Sequence, residues 1–340
     1  MSPRLSCSHL REHLKQIDPE RARRADTLWG SIAPKLHERQ TRPDDSVGGR
    51  LHAERVEQTV WRLISESPKV AVSDFQAVEW FLLSCAACAH DFDKGLRSAL
   101  PDEMIHGEGS GAFVVQHRNQ LLLDRFEAIA VDRMVRVHDL KDGAFVEALQ
   151  ALPENYARGD GPPINLQRLA VILKAADVLQ TDESRVAALA IEPERLEDKA
   201  RSKHYARSSI TGWYVDGARV ILQAYPTSED EQTAVNQAVD YLNEHEWRPL
   251  ADSLKRYSFP HELERQIQRD YLPDERLDSA GSPREAAAPR ADPTEYLQRL
   301  RNQTSFMDIR GLEVGSGKAT RLPIDKLYIP LATAGTSERG

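Results

Sequence analysis

The chain has 340 residues, 40% of them hydrophobic, which is enough for one large domain or two ordinary domains with a substantial core. Its 53 acidic and 45 basic residues give a net charge of -8, which argues against general nucleic-acid binding because that activity usually shows as a basic excess. No apolar stretch resembles a secretory signal or approaches the roughly 20 residues that span a membrane. Three cysteines do not make a disulfide framework, so we predict a soluble, cytoplasmic protein without membrane contact.

The hydrophobic pattern predicts a mainly α protein up to about residue 275. Two helical segments are expected within residues 8–40, with a break near Asp18-Pro19. Ser73 or Asp74 is expected to cap a helix that ends beyond Asp91. Asp216-Gly217 separates two apolar runs and predicts a β-hairpin over residues 208–225. The helices expected after the N-terminal pair are 50–66, 73–92, 110–139, 143–152, 164–180 and 229–256.

The region after residue 274 is polar and rich in alanine and proline, which is typical of a linker. A short helix at 294–303 and a strand-like tail at 306–331 are predicted to follow it. The expected organisation is an N-terminal helical segment at 1–49, a helical core at 50–190, the hairpin and C-terminal helices of the same domain at 191–275, a flexible linker at 276–293, and the short helix and tail at 294–340.

Residues of the types that bind metal ions occur in a fixed order along the chain, as His52, His90-Asp91, His106, His138 and Asp177. Those that fall on predicted helices continue rows of apolar residues spaced by four, and residues at i and i+4 share a helix face. An unpaired polar side chain on such a face would be costly, so several of them together predict a shared metal site. The alternative interpretation is that each histidine is an ordinary core or surface residue.

Imidazole and carboxylate ligands together suit a divalent ion such as Mn²⁺, Fe²⁺, Co²⁺, Ni²⁺ or Zn²⁺. A carboxylate next to a histidine, as in His90-Asp91, can bridge two ions. Such a site lowers the pKa of a bound water and neutralises phosphate oxygens, and these two effects favour phosphoester hydrolysis.

The ordered set resembles the H…HD…D signature of the HD-domain metal-dependent phosphohydrolases, and its local contexts agree. Residues 52–56 (HAERV) are similar to the family's H-x-x-R-V helix, residues 89–95 (AHDFDKG) to its L-H-D-I-G-K segment, and residues 173–180 (LKAADVLQ) to its L-x-x-A-D-x-L ending. The resemblance covers about residues 45–190. Two positions differ from the family pattern: Asp93 stands at the usual glycine, and Asp139 follows His138 where a second histidine is common.

The resemblance implies an HD-domain helical bundle, here with a small β-hairpin insertion and a short strand-like C-terminal tail. It implies that His52, His90, Asp91 and Asp177 hold a catalytic ion, and that His106 and His138 assist a second one. Asp91 would then be central to catalysis, while Lys94 and Arg55 would contact a substrate phosphate. The expected cofactor is one or two divalent ions, of Mn, Mg, Fe, Co, Ni or Zn.

The expected function is therefore a phosphohydrolase that acts on a nucleotide or another phosphoester through a metal-bound hydroxide. One alternative is an HD module that senses a nucleotide without turnover. Another is an interaction domain of a larger assembly.

The tail carries a second resemblance. Residues 311–331, which end in LYIPL, are similar to the segment that precedes the NTPase module in bacterial STAND/NACHT proteins. HD domains of the type found in bacterial conflict systems occur as N-terminal effectors of such proteins. This resemblance implies a C-terminal NTPase module or an oligomer as a partner, and a role in antiviral defence.

Three other patterns have simpler interpretations. Cys85 and Cys88 lie in an apolar helix, which predicts buried thiols rather than a metal or redox site. Gly315-Ser-Gly317-Lys318 lacks the spacing of a phosphate-binding P-loop. Gly107, Gly109 and Gly111 predict either a loop that approaches a phosphate or, more simply, a flexible connection.

Overall fold

The computed structural model describes residues 8–34, 49–96, 106–159, 161–181, 198–268, 306–308 and 321–323, and it confirms a mainly helical fold with a small sheet. The helices are α1 (His9–Ile17), α2 (Pro19–Thr27), α3 (Arg50–Ser65), α4 (Ala77–Ala89), α5 (Phe92–Leu96), α6 (His106–Gln116), α7 (Arg125–His138), α8 (Asp142–Gln150), α9 (Leu166–Leu179), α10 (Asp198–Ser209), α11 (Glu229–Tyr241) and α12 (Arg248–Arg256). The strands are β1 (Ile210–Asp216), β2 (Arg219–Ala224), β3 (Glu262–Ile267), β4 (Phe306–Asp308) and β5 (Arg321–Pro323).

Helices α3, α4, α7 and α9 pack against one another and form the centre of the bundle. Helix α4 has the sequence AVEWFLLSCAACA and is buried from Glu79 to its end, as its continuous apolar character requires. Cys85 and Cys88 are buried within it and are not joined by a disulfide, which agrees with the prediction of buried thiols. No helix in the described part of the chain is long and apolar enough to cross a membrane.

The N-terminal segment packs on α3 and α4 through α1 and α2, which are broken at Asp18-Pro19 as predicted. A π-helical turn (Leu28–Ile32) follows α2 and buries Trp29, whose indole N–H donates to Oγ of Ser84 at 3.0 Å. Leu10 and Leu14 of α1 lie in the same core. The segment is therefore an integral part of the bundle.

Three predicted helices differ in their bounds or continuity in the structure. The one expected at 229–256 is α11 and α12 with the π-helical turn Leu242–Trp247 between them. The helix expected at 110–139 is two helices, α6 and α7, because Leu122 adopts a φ of +58° and Asp124 caps α7. Asp124 and Glu127 exchange hydrogen bonds with each other's backbone N–H at 2.9 Å, so this capping box sets the start of α7. The helix expected at 73–92 begins after Gln76 rather than after Ser73 or Asp74, which lie in a short 3-10 turn.

The predicted hairpin is present as β1 and β2, but its turn lies one residue later than expected. Asp216 pairs with Arg219, so Gly217 and Ala218 form the turn, and the φ of +62° at Gly217 suits glycine. A third strand, β3, pairs in parallel with β2 and was not predicted. Helices α11 and α12, joined by a π-helical turn (Leu242–Trp247), form the crossover that a parallel pair requires.

Residue contacts divide the chain into two units, Met1–Pro273 and Asp274–Gly340. In the second unit, β4 and β5 form an antiparallel pair. The predicted linker at 276–293 and the predicted helix at 294–303 lie outside the described residues. The domain boundaries proposed from the sequence remain predictions.

Candidate metal centre

The structure brings together all six residues that the sequence singled out as metal ligands. They are His52 in the first turn of α3, His90 and Asp91 between α4 and α5, His106 at the start of α6, His138 at the end of α7, and Asp177 in the last turn of α9. Their ligand atoms form overlapping triplets, within each of which all atoms lie within 4.8 Å of one another.

One group of ligand atoms surrounds Nε2 of His52. This atom lies 3.1 Å from Nε2 of His90 and 3.1 Å from Oδ1 of Asp177. Oδ2 of Asp91 lies 3.7 Å from Nε2 of His52 and 3.6 Å from Nε2 of His90. The Asp177 side chain is 23% exposed while the other three are buried, so the group faces solvent on the Asp177 side.

The other carboxylate oxygen of Asp91 faces a second group. Oδ1 lies 3.1 Å from Nε2 of His106 and 3.7 Å from Nε2 of His138. Asp91, His106 and His138 form a triplet that could hold an ion. Asp91 thus belongs to both groups and presents one oxygen to each.

Backbone carbonyls orient the rings of His90 and His138. Nδ1 of His90 lies 2.8 Å from the carbonyl oxygen of Ala87, and Nδ1 of His138 contacts the carbonyl oxygen of Val135. A carbonyl only accepts, so each Nδ1 carries the proton and each Nε2 presents a lone pair to the centre. Burial lowers the pKa of His90, which favours the neutral ring that binds metal ions.

Nε2 of His138 is buried and has no hydrogen-bond partner among the described residues. A buried polar atom without a partner is costly, and a metal ion at this position would satisfy it. The donor set of imidazole nitrogens and carboxylate oxygens therefore fits a divalent ion.

The pKa values of the two central carboxyl groups are held well below their usual range. Burial alone would raise the pKa of Asp91, but Lys94 and His90 outweigh this effect. Burial likewise opposes ionisation of Asp177, and its hydrogen bond with His52 overcomes the opposition. Both carboxylates are therefore charged at neutral pH and can balance a divalent cation.

Asp139 orients the ring of His106, and this role of Asp139 was not predicted from the sequence. Its Oδ2 lies 2.7 Å from Nδ1 of His106, on the other side of the ring from Asp91. Burial opposes protonation of His106, but the hydrogen bonds to Asp139 and Asp91 raise its pKa to about 9. The pKa of Asp139 falls to about 2, because His106 outweighs its burial. The position of Asp139 directly after His138 was the available sequence signal.

The two predicted phosphate-binding cations occupy different environments. Nζ of Lys94 lies 2.9 Å from Oδ2 of Asp91, and its side chain is 44% exposed. Arg55 is exposed on α3, one turn after His52. Asp93 does not disrupt the turn that carries Lys94, because its backbone N–H donates to Oγ of the buried Ser110 at 2.9 Å. Contact of either cation with a phosphate remains a prediction.

The glycines around Ser110 form neither a phosphate loop nor a flexible connection, so both interpretations were wrong. Gly107 and Gly111 lie one helical turn apart in α6, where they face α7. A Cβ atom on Gly107 would lie 2.7 Å from the carbonyl oxygen of Val135, and one on Gly111 would lie 3.1 Å from that of Asp132. The missing side chains let the two helices approach closely, which brings His106 to His138.

A helical bundle with this histidine and aspartate cluster at its centre defines a domain of the HD type. The family model HD-CE matches residues 43–257, well over half of the chain, and the protein therefore belongs to this family. No match to the chain is found among curated proteins.

Proposed function

We propose that this protein is a metal-dependent phosphohydrolase with a centre for two divalent ions. The observation that carries the proposal is the position of Asp91, whose two carboxylate oxygens face two different groups of ligand atoms. A carboxylate shared in this way is suited to bridge a pair of ions about 3.5–4 Å apart, as in many phosphoester-cleaving enzymes.

The ligands divide into two sets that share Asp91. His52, His90, Asp91 and Asp177 would hold one ion, and Asp91, His106 and His138 would hold the other. Bound ions of Mn, Mg, Fe, Co, Ni or Zn would supply Lewis acidity toward the phosphoryl group and lower the pKa of a water molecule. The chain's own contribution is to hold the carboxylates ionised and the imidazole lone pairs directed inward.

Lys94 is the group best placed to bind a substrate phosphate. Its ammonium group already lies against Asp91 and reaches solvent, so a phosphate at the centre would come within its range. Arg55 would add a second cation from the exposed side of α3. These charges, with the ions, favour an anionic substrate such as a nucleotide or another phosphoester.

The cellular role that we propose is an effector in antiviral defence, joined to an NTPase module or acting in an oligomer. The support for this role is the resemblance of residues 311–331 to the segment that precedes such modules in bacterial proteins. The described residues of that region are Arg321–Pro323, which form β5 and pair with β4.

The test is hydrolysis by the purified full chain with Mn²⁺, Mg²⁺, Co²⁺ or Ni²⁺ and a panel of dNTPs, NTPs, cyclic nucleotides and a generic phosphodiester. We expect turnover that is lost in Asp91→Ala, because that change removes a ligand from both groups. His117→Ala is the control, since His117 packs against Phe113 and is not one of the clustered residues, and it should retain activity. Tight nucleotide binding without hydrolysis under any of these ions would instead support a sensing module.

A further inference from the structure

A triad of charged residues lies beside the metal centre, formed by Lys141, Lys174 and Glu246. The carboxylate of Glu246 forms an ion pair with each lysine: Oε1 lies 2.8 Å from Nζ of Lys141, and Oε2 contacts Nζ of Lys174. Glu246 and Lys174 are buried, whereas the Lys141 side chain is 46% exposed. A buried charge that is paired in this way is costly to disrupt, because removing one partner leaves the other uncompensated.

Each lysine belongs to a segment that carries part of the centre. Lys174 lies on α9, three residues before Asp177, so the two share one side of the helix. Lys141 follows α7, three residues after His138 and two after Asp139. The carboxylate of Glu246 therefore connects two segments of the chain. One carries Asp177, and the other carries His138 and Asp139.

Glu246 is itself fixed by its surroundings. It lies in the π-helical turn Leu242–Trp247, a rare geometry that often marks functional positions. The neighbouring Trp247 is buried, and its indole N–H donates to the carbonyl oxygen of His261 at 3.0 Å. Nζ of Lys141 also donates to the hydroxyl of Tyr241 at 3.1 Å. The backbone that carries this carboxylate thus belongs to the C-terminal part of the bundle rather than to the ligand-bearing helices.

We propose that Glu246 is a positioning residue, which acts through Lys141 and Lys174 to set the spacing between the two halves of the metal centre. This inference rests on the proposed metal-dependent function. It assigns a role to the π-helical turn, which contributes no ligand to the cluster.

Lys141→Met is the sharpest test, because it cuts the bridge without leaving a buried charge unpaired. Glu246 still neutralises Lys174, and Lys141 is half exposed, so the protein should fold normally. Calorimetric titration of the metal-free full chain with Mn²⁺ should show affinity about tenfold weaker in Lys141→Met and within about twofold of wild type in Lys141→Arg. Lys15→Met is a matched control, since Lys15 is 41% exposed and is likewise paired with acidic side chains, in its case Glu12 and Asp26.

A second variant pair addresses the buried side of the bridge. Glu246→Gln combined with Lys174→Met removes the buried charges together and should also weaken Mn²⁺ binding about tenfold. Glu79→Gln is its control, because Glu79 on α4 is also a buried carboxylate. It pairs with Arg168, which lies near the start of α9, the helix that carries Lys174. Glu79→Gln should lower the unfolding temperature while Mn²⁺ affinity stays unchanged.

Histidine NMR of the metal-free protein separates this inference from the proposed function. The ring signals of His106 and His138 should shift in Lys141→Met and stay in place in Lys15→Met. If wild type binds Mn²⁺ and Lys141→Met binds it equally well, with unshifted histidine signals, the positioning role is overturned and the proposed function stands. If wild type binds no divalent ion, the proposed function fails. The histidine signals of metal-free Lys141→Met then still test the positioning role: shifted signals support it, and unshifted signals overturn it.

Discussion

Oδ2 of Asp139 lies 2.7 Å from Nδ1 of His106 and so determines which nitrogen of the imidazole ring faces Asp91. A carboxylate on the outer nitrogen of a metal-binding histidine fixes its orientation and increases its basicity. Asp139 therefore supports the ligand set at the position where a second histidine is common in the family that the sequence resembles.

We expect Asp139→Asn to weaken binding at the Asp91, His106 and His138 group by about 10- to 100-fold, because the ring of His106 loses its anionic partner. Binding at the His52 group should change little. Titration with Mn²⁺ that resolves two binding events measures both. Asp132→Asn on α7, the helix that Asp139 caps, is the control, since Asp132 pairs with Arg136 rather than with a histidine. Equal weakening at both groups would contradict the role assigned to Asp139.

Gly111→Ala should separate α6 from α7. The added Cβ would meet backbone and side-chain atoms of Asp132, so the helices must move apart at a cost of about 1–3 kcal/mol. His106 moves with α6, so Mn²⁺ affinity should fall together with the unfolding free energy. Gly143→Ala in α8 is the matched control, because its Cβ would meet no atom within 4 Å, and it should leave stability equal or increased. Equal stabilities in the two variants would show that the close approach is unimportant.

Arg11→Met should destabilise the fold strongly, although Arg11 lies outside residues 43–257. The guanidinium of Arg11 donates to the fully buried carboxylate of Glu57 at 3.0 Å. Removing the guanidinium leaves this buried charge without its partner, at a cost of about 3–5 kcal/mol. Urea unfolding measures the loss. The exposed pair of Arg23 and Glu20 supplies the control Arg23→Met, which should change little. An unchanged unfolding midpoint in Arg11→Met would show that the N-terminal helices do not stabilise the bundle.

The cost of Arg11→Met should also depend on pH. Burial raises the pKa of Glu57 even though Arg11 counteracts it, so removing Arg11 should raise this pKa further. A raised pKa in the folded state contributes stability that is fully present below the unfolded value, near 4.5, and is lost as the pH rises through the folded value. The variant should therefore lose less stability at about pH 5 than at about pH 8. The same loss at both values would indicate that Glu57 is not the buried charge responsible.

The clustering of the candidate ligands could be predicted from the sequence because most of them lie in a local helical pattern or a short motif. His90 and Asp91, for example, directly follow the apolar helix α4, which has 13 residues. The start of α7 was also encoded locally, in the capping box of Asp124 and Glu127, and the long helix at 110–139 was predicted only because that signal was missed. The start of α4 was likewise expected too early because the capping box of Gln76 and Glu79 was missed, so both errors overlooked a signal within the segment itself.

The remaining features depend on contacts between distant segments. Gly111 has a packing role only because α7 lies against it, and Glu246 belongs beside the centre only because the crossover returns to the bundle. Strand β3 has the sequence ELERQI, in which Leu263 is the one buried side chain, so its pairing with β2 leaves almost no hydrophobic pattern. Such features follow from the tertiary structure rather than from any one segment.

The most direct test of the shared carboxylate is electron paramagnetic resonance of the full chain loaded with Mn²⁺. Two ions bridged by Asp91 would lie about 3.5–4 Å apart and give an exchange-coupled spectrum at full loading. We expect that coupling in wild type and its disappearance in Asp91→Ala. A spectrum of isolated Mn²⁺ at every loading of wild type, or coupling that persists in Asp91→Ala, would contradict a centre built around Asp91.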